Sequence, residues 1–180
     1  VECELTHLER SPIDLERARA QHSAYERALA DGGCEVRRLP EAPELPDSVF
    51  VEDAAVVFEE AAILTRPGAA SRRPEIETVA PSLEELRRLL WIRPPATLDG
   101  GDVLVVGRRV FVGQTPRSNA AGHAQLASLL APYGYTVESV SVHGCLHLKS
   151  AVTSLGGELI LLQPAWIDVE PFLGFDRVEV

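Results

Sequence analysis

The sequence is short of cysteine, short of positive charge and without long apolar runs, and each shortage excludes a class of protein. Three cysteines, Cys3, Cys34 and Cys145, stand in 180 residues. An odd number without C-x-x-C spacing does not make a disulfide framework and fits a reduced, cytoplasmic chain. Cys145 and His147 lie close together, but no further ligand pair stands at the spacing of a tetrahedral zinc site. Lys and Arg number 17 against 27 Asp and Glu, a formal net charge of −10. Nucleic acid and anionic membranes need positive potential, so neither is an expected partner, whereas a cationic small molecule suits the balance. No apolar run approaches the ~18 residues of a membrane helix. The longest candidate is Leu159–Leu162 with its neighbours. No basic segment followed by an apolar one opens the chain, so no signal peptide is visible.

What the sequence does have is a repeat. With 180 residues, 46% of them apolar and 24% charged, it suits one soluble globular domain. The stretch Asp53–Leu64 is an apolar run, a short polar turn and a second apolar run. The same pattern returns 49 residues later at Asp102–Gly113, and another 49 later at Ala151–Leu162. Each reads as a β-hairpin, with turns at Phe58–Glu60, Gly107–Arg108 and Gly156–Gly157. A helix and a strand are expected after each. The first helix is read over Leu83–Leu90, with Ser82 and Glu85 as a capping box, leading into Trp91–Ile92. The second runs from Asn119 to Leu130 and is followed by Gly134 and a strand over Tyr135–Val142. The third is a shorter segment, Ala165–Leu173, before a strand over Phe175–Val180. Ahead of the first hairpin, Ser11–Pro12 starts a helix with Leu15, Ala18, His22, Tyr25 and Leu29 on one face. Gly32–Gly33 stops it, and Cys34–Leu39 reads as a strand. The chain thus holds about three ββαβ units and part of a fourth. Such units cannot bury their apolar faces alone and must stack, strands inside and helices outside. Their loops then converge at one end, where a site can form.

Three polar stretches carry chemistry. Leu45–Asp53 places Asp47, Glu52 and Asp53 around a strand start, and a Pro46–Asp47–Ser48 turn fits it equally. Thr97–Asp102 sets Asp99 and Asp102 on either side of two glycines. A tight turn, a close approach of backbone to a ligand and an acidic metal loop are all compatible with it. Asp53 and Asp102 hold the same repeat position, so in a closed repeat they face a common centre. In His143–Ser150, His147 stands between two leucines and turns away from their face. Cys145 is two residues from it, too near to bridge a substrate with it. Arg72 and Arg117 lie in loops after hairpins and suit either a carboxylate ligand or a surface ion pair.

Taken with the repeat, five motifs make the chain resemble the dimethylarginine dimethylaminohydrolases, members of the guanidine-modifying pentein, or amidinotransferase, superfamily. They are LPDSVFVED at Leu45–Asp53, TRPGAASRR at Thr65–Arg73, TLDGGDVL at Thr97–Leu104, PRSN at Pro116–Asn119 and LHLKS at Leu146–Ser150. The resemblance implies a five-bladed α/β propeller of ββαβ units, incomplete here, in one catalytic domain over residues 1–180 that lacks an N-terminal hairpin and a C-terminal module. It implies hydrolysis of N-methylated arginine to citrulline and methylamine or dimethylamine, with no metal or organic cofactor. A cysteine thiolate attacks the guanidinium carbon, giving a covalent thiouronium. His147 matches the acid/base and Asp99 the acid beside it. Asp53, with Glu52 next to it, matches the grip on the guanidinium. Asp47 and the Leu5 carbonyl match the contacts to the α-amino group, and Arg72 and Arg117 the α-carboxylate clamp.

The family's nucleophilic cysteine lies near the C-terminus, and none of Cys3, Cys34 and Cys145 matches it. Five units would need about 245 residues. The nucleophile is therefore expected outside the given sequence and this polypeptide is expected not to turn over substrate. An unclosed repeat leaves sheet edges bare, so aggregation or pairing with another chain, a homo-oligomer included, is expected. A non-catalytic arginine-binding fragment, an arginine deiminase-like hydrolase and a metal protein on Asp99 and Asp102 are the alternatives.

Overall fold

The computed structural model describes residues 3–5, 9 and 11–180. They form two compact units, one within Leu5–Glu41 and one of Ala42–Val180 with Cys3 and Glu4. The smaller unit is built on one helix, α1 (Leu15–Asp31). It stops where the two glycines predict. The Gly32 and Cys34 amides donate back to Ala28 and Leu29 carbonyls at 3.1 and 3.0 Å, and Gly33 takes a φ of +87°. Its start is later than Ser11–Pro12 predicts. Asp14 is the cap, accepting from the Arg17 amide at 3.0 Å. Both residue types cap well, but a carboxylate also answers the positive end of the helix dipole. Cys34–Leu39, read as a strand, runs without ladder bonds. Apolar residues alone do not supply a strand with a partner edge, and Arg38 instead pairs with Glu26 of α1.

The larger unit is three modules in a row. The first contains β1 (Ala55–Val57), β2 (Ala61–Leu64), α2 (Glu75–Glu84) and β3 (Arg88–Trp91). The second contains β4 (Val103–Val106), β5 (Arg109–Gln114), α3 (Ala120–Leu130) and β6 (Thr136–Ser141). The third opens with the one-turn helix α4 (Leu148–Ala151) and continues through β7 (Val152–Gly156), β8 (Leu159–Leu162) and β9 (Asp176–Glu179). Each module makes its own three-stranded sheet in chain order. The first two strands of each pair antiparallel through the hairpin, and the third returns parallel to the second. Positive φ at Gly107, Gly156 and Gly157 makes the second and third hairpin turns. In the third module two 3-10 turns, Pro164–Trp166 and Glu170–Phe172, replace the crossover helix, which is why its return strand comes early.

The helix of the first module departs from expectation. It lies at Glu75–Glu84, the Ser82–Glu85 capping box is unused, and the Leu83–Leu90 stretch expected as helix divides into the end of α2, a turn and, from Arg88, strand β3. The parallel ladder from Ala61–Arg88 to Leu64–Trp91 offers that segment a backbone partner for every residue. Four tertiary ladder pairs outweigh a weak local helix preference. The second helix lies where it is expected, with Asn119 as its N-cap, accepting from the Gly122 amide.

The core lies between the sheets. One cluster joins Val56, Phe58 and Ile63 of the first module to Val103, Val110, Val112, Leu126 and Leu130 of the second. The other joins Leu104, Val106, Phe111 and Val140 to Ile160, Leu162 and Phe172 of the third. The middle sheet is thus covered on both faces, and alternate residues of β4 and β5 point to opposite clusters. That is why these strands read as continuous apolar runs. Among the described residues no helix is long and apolar enough to cross a membrane.

Gly122, in the first turn of α3, lets the helix rest on the loop before it. A Cβ there would stand 2.1 Å from the Thr97 carbonyl oxygen. Ala is normally better than Gly in a helix by up to about 1 kcal/mol. Here Gly122→Ala is expected to reverse that sign and lower stability by about 1–3 kcal/mol, the cost of overpacking. Urea unfolding checks it, and a raised midpoint would contradict the close approach.

Candidate active site

The repeat builds the site by bringing equivalent turns together. Asp53 ends a 3-10 turn, Val51–Asp53, just before β1, and Asp102 ends another, Gly100–Asp102, just before β4. The turns pack backbone on backbone. A Cβ at Gly100 would lie 1.9 Å from the Glu52 carbonyl oxygen, and one at Gly101 would lie 2.7 Å from Asp53 Oδ1 and 2.8 Å from the His147 ring. The two glycines therefore serve close approach. The Gly101 amide donates to Asp53 Oδ1 at 2.8 Å.

His147 sits on the extended residue before α4 rather than within a strand, and its ring enters this cluster. Nδ1 is 3.3 Å from Asp102 Oδ1, and Nε2 is 3.8 Å from Asp53 Oδ1 and 4.0 Å from Asp99 Oδ2. Asp99 and Asp102 are wholly buried, and Asp53 nearly so. Asp99 accepts from the Gly68 amide at 2.8 Å and faces Arg117 Nη1 at 3.4 Å. Asp53 Oδ2 accepts from Arg72 Nη1 at 2.7 Å. Arg72 is itself buried and forks onto Glu75, with Nε and Nη2 at 3.1 and 2.9 Å from the two carboxylate oxygens. Its Nη2 also donates to the Asp47 carbonyl at 3.2 Å.

These surroundings shift proton affinities. Burial disfavours the His147 imidazolium, but the hydrogen bond to Asp102 and the charges of Asp102, Asp53 and Asp99 outweigh it, and its pKa rises. Burial raises the pKa of Asp99, against the Gly68 amide and with the charge of Asp53. Burial also raises that of the Cys145 thiol, which donates to the His147 carbonyl at 3.1 Å. A thiol so placed is the opposite of an activated nucleophile.

Of the residues singled out in the sequence, Asp53, Asp99 and His147 meet, with Arg72 on the first and Arg117 on the second. Asp47 is buried nearby and accepts from the Glu4 amide at 2.8 Å. Glu52 is beside Asp53 in sequence but turns outward to Lys149, 2.9 Å away. Leu5 stands in the smaller unit and is exposed. Glu75 and the role of Asp102 were not visible in the sequence. Glu75 is buried against Arg72, and the only signal was its position three residues on. Asp102 holds the histidine, a role its place in the glycine loop did not reveal.

Asp53, Asp99 and His147 each offer one atom within 4.8 Å of the other two. That spacing suits a planar organic cation as well as a metal ion. Asp102 does not extend it, because four donors already occupy its two oxygens.

A family model for N,N-dimethylarginine dimethylhydrolases of eukaryotic type matches residues 6–170. The chain belongs to that family. It is 47% identical over 152 residues to an N(G),N(G)-dimethylarginine dimethylaminohydrolase of Streptomyces coelicolor, covering 84% of this chain and 59% of the relative. It is 33% identical over 169 residues to the enzyme of that name from Pseudomonas aeruginosa, covering 93% and 66%. The chain thus spans about two thirds or less of these relatives. Among solved structures, a cysteine-to-serine variant of the Pseudomonas aeruginosa enzyme complexed with citrulline superposes with a TM-score of 0.93 at 32% identity, covering 98% of this chain and 70% of that one. The fold is the family's α/β propeller, and the three modules account for the part of it seen here.

Arg72 is the cation that makes Asp53 and Glu75 tolerable in the interior. Arg72→Met is expected to cost about 3–5 kcal/mol of stability by leaving two buried carboxylates unpaired. Denaturant unfolding at neutral pH checks this, and a change below about 1 kcal/mol, the value of an exposed pair, would contradict it.

Proposed function

We propose that this chain carries the guanidinium-binding and proton-transfer part of a site that hydrolyses N-methylated arginine to citrulline and methylamine or dimethylamine. One observation carries the reading: two buried carboxylates, Asp53 and Asp99, converge on His147 Nε2 without bonding to it. A guanidinium between them would exchange solvent for charge-assisted hydrogen bonds, with its departing nitrogen beside the imidazole.

The chemistry follows from this placement. A thiolate sulfur bonds to the guanidinium carbon. The bond to the methylated nitrogen breaks, and that nitrogen takes its proton from His147 Nε2. Water then adds to the thiouronium carbon while His147 accepts a proton, the carbon–sulfur bond breaks, and citrulline leaves with the thiolate restored. Asp47 is assigned to the α-amino group, Arg117 and Arg72 to the α-carboxylate, and Glu52 to the rim beside Asp53. Arg72 also holds Asp53, since its donors are directed there. The attacking thiol is read as lying outside residues 1–180, within the same pentein domain, because Cys145 is spent on a backbone carbonyl and made less acidic. The relative complexed with citrulline is a cysteine-to-serine variant, in keeping with a thiol there. The setting is cytoplasmic, with a free amino acid as ligand and no cofactor. A chain that binds such ligands without turning them over is the second reading, favoured by the same inert Cys145.

Calorimetric titration of the chain with Nω-methylarginine tests the site. Asp99→Asn keeps the shape of the side chain and its bond from the Gly68 amide while removing the charge. It is expected to weaken binding about 10- to 100-fold, the value of one charge-assisted hydrogen bond. No binding by a folded wild-type chain, or equal binding by the variant, would overturn the assignment.

A further inference from the structure

The acid that controls His147 is a different residue from those that face the proposed ligand. We infer that Asp102 is the positioning residue of the site, fixing neutral His147 as the Nδ1–H tautomer and turning its Nε2 toward Asp53 and Asp99. The tautomer follows from the geometry alone; its value for catalysis rests on the hydrolase reading above.

The hydrogens around one carboxylate fix the tautomer. Asp102 Oδ2 receives the Thr115 and Ser118 hydroxyls, each at 2.6 Å. Asp102 Oδ1 receives the Leu148 amide at 3.1 Å and faces His147 Nδ1 at 3.3 Å. The two hydroxyls have little freedom to turn elsewhere. Thr115 Oγ1 accepts from the Arg117 amide and Ser118 Oγ from the Asp99 amide, each at 3.1 Å, so their own hydrogens point at Asp102. The Leu148 hydrogen is fixed by the backbone. An ionised carboxylate with these donors has only lone pairs left to offer, so Nδ1 must carry the hydrogen between them. Because Oδ1 binds both the His147 ring and the amide of the next residue, it fixes the ring relative to the main chain.

The other side of the ring is open. At 3.8 and 4.0 Å, Asp53 and Asp99 are too far from Nε2 to hydrogen-bond it. When neutral, His147 presents a lone pair there that can take a proton from water. When charged, it presents the N–H that a departing amine needs. The charged groups facing the ring are Asp53, Asp99 and Asp102, with Arg72 behind the first and Arg117 behind the second. The raised proton affinity of His147 agrees with this arrangement.

Multiple-bond 15N–1H correlation spectra of the full chain test the inference, with His147 assigned through His147→Gln. Above its titration midpoint wild-type His147 is expected to give the Nδ1–H pattern, and an Nε2–H pattern would overturn the proposal. In Asp102→Asn the fixed Leu148 hydrogen draws the amide oxygen to its corner, so the Nδ1–H tautomer is expected to persist while the titration midpoint falls. In Asp102→Ala the tautomer is expected to drift to the Nε2–H form that free imidazole prefers. A folded Asp102→Ala chain with unchanged tautomer and midpoint would overturn the proposal. If that variant does not fold, the wild-type tautomer and the Asp102→Asn midpoint decide alone. No readout involves ligand or turnover, so failure here is distinct from failure to bind methylarginine.

Discussion

A carboxylate taken out of water costs several kcal/mol unless hydrogen bonds and opposite charge replace the solvent. The larger unit bears that cost three times around one imidazole. Asp53 is met by Arg72 and the Gly101 amide, Asp99 by Arg117 and the Gly68 amide. Asp102 is met by two hydroxyls, an amide and His147. Each acid draws donors from more than one loop. The positions of those loops are therefore coupled, and with them the packing of one module on the next.

The repeat makes this convergence possible. Modules of one pattern place equivalent turns at the same end of successive sheets, so Asp53 and Asp102 arrive as equivalents. Sheet packing brings those turns into contact, and the glycines at 100 and 101 let backbone meet backbone where any Cβ would collide. The third module departs from the pattern and supplies a histidine instead of an acid from the loop ahead of its hairpin. One imidazole among three carboxylates is the consequence.

Much of this was legible in the sequence. The 49-residue spacing gave the modules, glycines placed two of the hairpin turns, and the shared repeat position of Asp53 and Asp102 anticipated their meeting. The five motifs pointed to the family that the comparisons show. What was not legible depended on partners distant in sequence. The stretch Leu83–Leu90 reads as a helix, but its last three residues become strand because β2 offers a parallel edge. Cys34–Leu39 has a strand's composition but joins no ladder among the described residues. Arg72 reads only as a fork for a ligand; its hold on Glu75 and Asp53 was not legible. Asp102 reads as part of a turn or metal loop. Only the fold shows that its oxygens are filled by Thr115, Ser118, Leu148 and His147.

The role proposed for this buried cluster is to hold a planar cation. Nω-methylarginine and citrulline share their amino-acid end and differ at the tip, a charged guanidinium in one and a neutral ureido group in the other. Their affinities for the wild-type chain, compared by calorimetry at neutral pH, isolate that difference. The cation is expected to bind at least about tenfold more tightly, the least that one charge-assisted hydrogen bond supplies. Equal affinity, or preference for citrulline, would contradict it.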